Sequence, residues 1–267
     1  MFTGASAACV TVGATLQRAE LHFHLLPGVD DGPADLAEAV ELARLAVADG
    51  TSLVTVTPHV RDLLRRGILR EVPARVEVVA AALGRAGVPL ELRTGAELAH
   101  DDVEHLSDAE LDAIAQGPSG ARWVLLEAPL FGPEAGAFLA TTAEVRARGF
   151  GTLIGHPERC PDLMRDPGAL AAERRAGAWL QVNGSSLTGL HGAAAYKWGV
   201  ELLRGGGRAV VIGSDAHRPT RPPVMSAAVA ALVEVGVPRA LAESFAGAAP
   251  RALLRHGIAA PHGARAA

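Results

Sequence analysis

The sequence predicts an α/β protein that forms a distorted, TIM-like barrel of seven strand–helix units in a single domain. Short β-like apolar runs recur along the 267 residues, and amphipathic helical stretches separate them. Strands that alternate with helices in this way require a parallel sheet. Seven such units can close into a barrel or form an open doubly wound sheet. Polar residues at the end of nearly every run favour the barrel, because barrels build their sites on that face.

Seven runs are the candidate strands, in the order LHFHL, SLVTV, LELRTGAEL, RWVLLEA, GTLIGH, AWLQVN and RAVVIGS. Helical patterns lie between them, at Ala34–Ala48, Pro73–Ala86, Glu134–Arg148 and Ala193–Arg204. Glycine is common just after a helix because it adopts the left-handed conformation there. The glycines predicted to end helices are Gly50, Gly87, Gly149 and Gly177.

The domain is expected to span residues 19–257, since no linker-like stretch divides the chain and 49% hydrophobic residues can form a sizeable core. Residues 1–18 lack the basic start of a signal peptide and are expected to be a disordered extension. Residues 258–267 are rich in alanine and are expected to fray, which discounts His262 as a ligand.

Composition excludes several classes of function. A formal net charge of -4 gives no overall basic field of the kind that non-specific nucleic-acid binding needs. Because no apolar run reaches about 18 residues, we expect no insertion into membranes. Cys9 and Cys160 are too few for a disulfide framework, which indicates a reducing compartment and hence the cytoplasm.

Potential metal ligands follow the predicted strands. His22 and His24 alternate at the end of the first strand, so both imidazoles can reach one ion. Two core histidines would explain this pair alone equally well, but later strand ends repeat the pattern. The further candidates are Asp30, Asp31, His59, Glu97, Glu127, His156, Asp215 and His217. So many ligands exceed the three or four of one tetrahedral ion, and the mixture without thiolates suits Mn, Fe or Zn.

The motifs HFHLLPGVDDG, TPH, GAEL, LLE, GHPER, VNGSSLTG and IGSDAH occur in this order over Glu20–Pro219. Together they resemble the polymerase-and-histidinol-phosphatase (PHP) superfamily. Within it they are most similar to the bacterial metal-dependent tyrosine-protein phosphatases of capsule and exopolysaccharide operons. LPGVDDG and GHPER distinguish this branch from the histidinol phosphatases and the polymerase-associated exonucleases. The resemblance implies a distorted barrel that holds a trinuclear metal site.

The resemblance also implies roles for individual residues. Three groups of ligands follow from the motifs: His22, His24, Glu97 and Asp215; Glu97, Glu127 and His156; and Asp31, His59 and His217. Asp31 matches the second aspartate of LPGVDDG, which leaves Asp30 a supporting role. Two to three divalent or trivalent ions are expected, Mn foremost, with Fe, Zn or Mg as alternatives. Arg159 matches the arginine near the substrate phosphate; a salt bridge with Glu158 is its alternative interpretation.

Two positions depart from the family pattern. Glu20 stands where the family commonly has Asp, and Val60 stands where it often has a second histidine. Neither is an implied ligand, so the metal assignment is kept. The arginines after Val60 are either substrate contacts or a solvated face; they are Arg61, Arg65 and Arg66.

The implied reaction is hydrolysis of a phosphate monoester by hydroxide held between metal ions. The expected substrate is a phosphotyrosine protein, the tail of a cognate tyrosine kinase. Histidinol phosphate, or binding of phosphotyrosine without efficient turnover, are the alternatives. A cysteine phosphatase needs five residues between Cys and Arg, but four separate Cys160 from Arg165. Lys197, the only lysine, lies in a helical run and not at a strand end, where a carboxylated bridging lysine would stand.

Serine chemistry is also disfavoured, because Gly184–Ser186 lacks the G-x-S-x-G frame of a nucleophile elbow. We expect NGSSLTG to form a loop after the sixth strand, close enough to line the site.

Overall fold

The computed structural model describes residues 17–131, 133–205, 207 and 209–259, and their strands form two parallel sheets. The first sheet has the order β1 (Arg18–Phe23), β2 (Thr51–Val56), β3 (Glu91–Thr94). The second has the order β4 (Glu97–Leu98), β5 (Trp123–Glu127), β6 (Gly151–Gly155), β7 (Trp179–Asn183), β8 (Val210–Gly213).

Two isolated parallel bridges join the sheets into a closed ring. Phe23 pairs with Ala216 beyond β8, and His59 beyond β2 pairs with Glu97 in β4. Strands β3 and β4 are the two parts of one predicted strand, LELRTGAEL, which is interrupted at Gly95. The ring therefore has seven strand positions, and the predicted distorted barrel of seven units is confirmed.

Helices follow most strands in the described chain. Their bounds are α1 Leu36–Ala48, α2 Val60–Arg66, α3 Val72–Arg85, α4 Asp108–Ile114, α5 Ala135–Ala147, α6 Pro161–Arg165, α7 Pro167–Arg175, α8 Gly184–Leu187, α9 Gly192–Gly205, α10 Met225–Glu234, α11 Arg239–Ala246 and α12 Ala248–His256. Three short 3₁₀ segments lie at Leu69–Glu71, His100–His105 and Pro157–Arg159. The four predicted helices correspond to α1, α3, α5 and α9.

Local signals set the helix ends. Asp35 caps α1, since its side chain accepts a hydrogen bond from the backbone N of Glu38 at 2.9 Å. Each glycine predicted to end a helix has a positive φ, from 66° to 97°. The expected NGSSLTG loop is a short helix, α8, because the backbone N of Thr188 bonds to the carbonyl of Gly184 at 3.1 Å. That expectation was wrong.

The folded part is slightly longer than the predicted domain. Arg18 belongs to β1 and pairs with Glu243 at 3.1 Å, while Ile258 is 5% exposed and packs near Trp123. Residues 1–16 and 260–267, with His262, lie outside the described residues. Among the described residues, the helices are all too short or too polar to cross a bilayer.

Candidate metal centre

The carboxyl ends of the barrel strands bring all nine implied metal ligands together. Strands β1, β4 and β5 and the segments after β1, β2, β6 and β8 supply them. Their ligand atoms form four overlapping groups, with all atoms of a group within 4.8 Å of one another. The groups are His24, Asp31, His59 and His217; His22, His24 and Asp215; His22, Glu97 and His156; and His59, Glu97 and Glu127. Because the groups overlap, the division into three ions stays a prediction.

Glu97 lies in the middle of the cluster and is 1% exposed. Its Oε1 lies 3.0 Å from Nε2 of His22 and 3.4 Å from Nε2 of His156. Its Oε2 lies 3.1 Å from Nε2 of His24 and 3.2 Å from Nδ1 of His59. Each oxygen of this carboxylate therefore faces two imidazoles, so Glu97 could contribute an oxygen to more than one of the candidate ligand groups.

Hydrogen bonds at Nδ1 orient His22 in β1 and His24 directly after it. Nδ1 of His22 lies 3.0 Å from Oε1 of Gln181, and Nδ1 of His24 lies 2.8 Å from Oδ2 of Asp30. Both partners accept hydrogen bonds, so each imidazole donates from Nδ1 and turns Nε2 into the cluster. Asp30 therefore has the supporting position expected of it.

Asp31, His59 and His217 form the outer side of the cluster. Oδ1 of Asp31 lies 3.1 Å from Nε2 of His217 and 3.5 Å from Nε2 of His59. Nδ1 of His217 lies 2.8 Å from the backbone carbonyl of Asp215, which fixes this imidazole as well. The side chain of Asp31 is 62% exposed, so the centre opens to solvent here.

Five buried polar atoms of the cluster make no regular hydrogen bond among the described residues: Nδ1 of His156, and four that face one another, namely Nε2 of His22, Nε2 of His24 and both carboxylate oxygens of Glu97. Leaving one buried polar group unpaired costs about 1–3 kcal/mol. Four such atoms that face one another are the donor set of a cation site, and imidazole with carboxylate suits Mn, Fe or Zn. The residues present therefore fit metal ions.

The electrostatics of the cluster support this interpretation. Burial opposes charge on His24, but Asp30 and Glu97 outweigh it and raise its pKa well above the usual value. Burial and the neighbouring Glu97 raise the pKa of Glu127 to about 7. Carboxylates crowded in a buried site repel one another, and positive charge relieves that repulsion.

Backbone strain coincides with the cluster. Among the described residues, His156 and Asp215 are the non-glycine residues with positive φ, at 33° and 53°. His156 follows β6 directly, and Asp215 is the second residue after β8. Such conformations cost about 1–3 kcal/mol and persist where the surroundings hold them, often at functional sites.

Two arginines converge on Asp215. Nη1 of Arg159 lies 3.3 Å from Oδ2 of Asp215, and Nη2 of Arg221 lies 2.7 Å from the same oxygen. Glu158 instead accepts hydrogen bonds from Oγ of Ser186 at 2.7 Å and from the backbone N of Asn183 at 3.0 Å. The alternative pairing of Arg159 with Glu158 is therefore not adopted.

The sequence interpretation missed Arg221 and Gln181, whereas Asn183 begins the NGSSLTG segment that was expected to line the site. Nε2 of Gln181 donates to Oδ1 of Asn183 at 2.8 Å, and Nδ2 of Asn183 donates to Oδ2 of Asp215 at 2.9 Å. A Cβ on Gly213 would lie 2.9 Å from Nε2 of Gln181, so this glycine leaves room for the pair. The signal was available, since alternate polar residues in an apolar strand share one face.

The three arginines predicted as substrate contacts lie apart from this group. Arg61 pairs with Asp101, and its Nε lies 3.5 Å from Oδ1 of Asp102. Arg65 is 70% exposed and lies 3.9 Å from Asp62. Arg66 is exposed at the end of α2. Asp101 and Asp102 already pair with Arg61, and the alternative of a solvated helix face fits the exposed Arg65 and Arg66.

The competing nucleophiles lie in unsuitable places. Cys160 is 2% exposed, and burial raises the pKa of its thiol, which disfavours a thiolate. Lys197 is on α9 with its side chain 72% exposed. Glu20, the departure from the family pattern, accepts a hydrogen bond from the backbone N of Ser214 at 2.7 Å and so supports the segment that carries Asp215.

Comparisons with known proteins find a family model and relatives that match most of this chain. A family model described as "Capsular polysaccharide synthesis, CpsB/CapC" matches residues 18–255. The chain is 28% identical to "Tyrosine-protein phosphatase YwqE" of Bacillus subtilis (strain 168) over 204 residues, which cover 74% of this chain and 76% of that protein.

Solved structures share the fold. One of the crystal structures of YwqE from Bacillus subtilis and CpsB from Streptococcus pneumoniae, described as unique metal-dependent tyrosine phosphatases, superimposes with a TM-score of 0.70. It is 22% identical and covers 90% of this chain and 95% of that chain. An organophosphorus hydrolase from Deinococcus radiodurans superimposes with a TM-score of 0.50 at 17% identity, over 90% of this chain and 93% of that chain.

Proposed function

The chain belongs to the CpsB/CapC family of capsular polysaccharide synthesis, and from this premise we propose that it is a metal-dependent protein-tyrosine phosphatase. The relative in Bacillus subtilis bears the name of this activity. One observation carries the proposal: buried imidazole nitrogens without hydrogen-bond partners face carboxylate oxygens, directly beside two arginines.

Nine side chains would hold the metal ions. We assign them to two or three ions, with Glu97 as the bridge, in the groups His22, His24, Glu97 and Asp215; Glu97, Glu127 and His156; and Asp31, His59 and His217. Manganese is the expected metal, and Fe, Zn or Mg are the alternatives. When bound, such ions lower the pKa of water and neutralise charge on a phosphate ester.

The chain's own residues bind and orient the substrate. Arg159 and Arg221 would leave Oδ2 of Asp215 and bind the equatorial phosphate oxygens, where a planar guanidinium forms paired hydrogen bonds. Gln181 and Asp30 would accept hydrogen bonds from Nδ1 of His22 and His24 and so hold both rings with Nε2 toward the metal ions. The buried Cys160 is a poor nucleophile, so we expect no phosphocysteine intermediate.

The partner is a phosphotyrosine protein, and we infer the phosphorylated tail of a tyrosine kinase that controls capsule or exopolysaccharide synthesis. We also infer that the reaction takes place in the cytoplasm, because Cys160 is a free thiol and the chain has two cysteines in all.

Metal analysis and turnover test the proposal together. Protein purified without chelators should contain two to three equivalents of metal and hydrolyse a phosphotyrosine peptide faster than histidinol phosphate. His22→Ala should lose metal and activity. The matched control is His105→Ala, a histidine 65% exposed and outside the cluster, which should keep both. Metal-free protein that added Mn²⁺ does not activate would contradict the proposal.

A further inference from the structure

Two clefts adjoin the metal-ligand cluster, and Leu130 and Phe131 separate them. The first, called here the apolar cleft, has a volume of about 480 Å³. Its wall includes Phe131, Met164 and Trp198, and it also contains Arg159 and His191. Arg159 thus belongs both to this cleft and, through Asp215, to the metal centre.

The second, called here the acidic cleft, has a volume of about 320 Å³ and a different character. Glu127, Glu134 and Asp101 line it together with Arg61. Because Arg61 pairs with Asp101 and Asp102, its charge is already matched. The acidic cleft therefore favours a cationic group, and the apolar cleft favours a neutral one.

His191 contributes a neutral polar atom to the apolar cleft. Its Nδ1 lies 2.9 Å from Oγ of Ser186, which in turn donates to Oε1 of Glu158 at 2.7 Å. Burial, and then the charge of Arg159, lower the pKa of His191 to about 4, so the imidazole is uncharged near neutral pH. Arg165, at the cleft's edge, pairs with Asp162 at 2.7 Å. This leaves Arg159 as the cation of the cleft on the side of the metal centre.

Phe131 is the most exposed large hydrophobic side chain of the described residues, at 84%. An aromatic ring left in water at the edge of a cleft gains free energy when a second ring packs on it, about 0.5–1.5 kcal/mol beyond the area that it buries. Trp198 and Met164 offer further contacts of the same kind, since sulfur and indole both pack well against rings.

We propose that the apolar cleft holds the aromatic ring of the phosphate ester, so that Phe131, Met164 and Trp198 make the enzyme prefer aryl to alkyl phosphates. The inference rests on the proposed phosphatase function. A phosphate bound by Arg159 has its ester oxygen beside the cleft, and the ring of phosphotyrosine follows that oxygen directly. The small polar side chain of phosphoserine would leave the three apolar side chains without a partner.

Binding of two phosphonates separates this inference from the proposed function. Phenylphosphonate and methylphosphonate share the charged group but differ in the ring, and calorimetry on the metal-loaded protein needs no turnover. We expect Phe131→Ala to lower the affinity for phenylphosphonate about 5- to 20-fold and the affinity for methylphosphonate less than about twofold. Phe131→Leu should retain part of the affinity because it keeps an apolar contact.

Because Phe131 borders both clefts, two further variants are needed to show which cleft binds the ring of phenylphosphonate. Trp198→Ala changes only the apolar cleft and should also lower the affinity for phenylphosphonate but not for methylphosphonate. Glu134→Gln changes only the acidic cleft and should leave both affinities unchanged. The matched control is Leu190→Ala, a leucine 70% exposed that lines neither cleft, and it should bind like wild type.

Turnover provides the independent outcome. If wild type hydrolyses a phosphotyrosine peptide but Phe131→Ala and Trp198→Ala bind both phosphonates like wild type, the cleft assignment is overturned and the phosphatase function stands. If no ester is hydrolysed but the two variants lose affinity for phenylphosphonate and not for methylphosphonate, the proposed function fails and the cleft assignment stands. Equal weakening of both phosphonates in the two variants would also overturn the cleft assignment.

Discussion

Replacing Arg159 with alanine tests whether phosphate recognition is separable from metal binding. The side chain of Arg159 is 19% exposed, and its Nη1 lies 3.3 Å from Oδ2 of Asp215, so it is held in place before substrate arrives. Loss of one preorganised donor to a charged transition state lowers the rate by about 10²–10³. Because Arg221 remains on the same oxygen, we expect kcat/KM to fall by about 10², near the lower end of this range.

The assay is kcat/KM for a phosphotyrosine peptide, with metal content measured on the same preparation. Arg159→Ala should keep the metal, and Arg159→Lys should restore part of the activity, since an ammonium group cannot form the paired hydrogen bonds of guanidinium. Arg85→Ala, an exposed arginine at the end of α3, is the matched control. Parallel loss of metal and activity in Arg159→Ala would assign this residue a structural role, and unchanged activity would remove it from phosphate recognition.

Further substitutions probe the support of the metal centre. Gln181→Leu removes the acceptor at Nδ1 of His22 and should weaken metal binding about 10- to 100-fold, measured by titration with Mn²⁺; unchanged affinity would contradict the orienting role. Glu97→Gln should abolish activity and lower metal content more than Asp30→Asn does, because it removes charge shared by two ions. Thiol alkylation should leave activity intact because Cys160 is buried, whereas a chelator should abolish it reversibly. Burial opposes charge on His59, but Glu97 and Asp31 raise its pKa to about 9. Metal must displace that proton, so apparent Mn²⁺ affinity should rise from pH 6.5 to pH 9, and a flat profile would count against His59 as a ligand.

The barrel and its strand-end ligands were predictable because strand order and side-chain alternation are local properties of the sequence. Parallel strands of one barrel end on the same face, so polar residues after six of the runs had to meet there. The break of the third strand at Gly95 was not predictable in this way. It is accompanied by the bridge between His59 and Glu97, a pairing of residues far apart in sequence that local patterns do not reveal.

Arg221 shows what local patterns leave out. It lies in a segment without regular secondary structure, and a short antiparallel bridge with Arg218 returns the chain toward the centre. Pro219, at the second position of this turn, is a local turn signal, but no local pattern indicates that the turn brings Arg221 to Asp215. Gln181 and Asn183 differ, because the alternation that identified His22 and His24 applies equally to them.

The two bridges that close the barrel pass through the candidate metal ligands. Asp215 donates its backbone N to the carbonyl of His22 at 3.1 Å, although 193 positions of the numbering separate them, and His59 pairs with Glu97 on the opposite side. Metal ions bound by ligands from both sheets at these two bridges would act as cross-links between the sheets, comparable to disulfides that close long loops. The resistance of the folded chain to proteolysis would then follow the metal supply of the cell, and a metal-starved cell would lose the protein itself along with its activity.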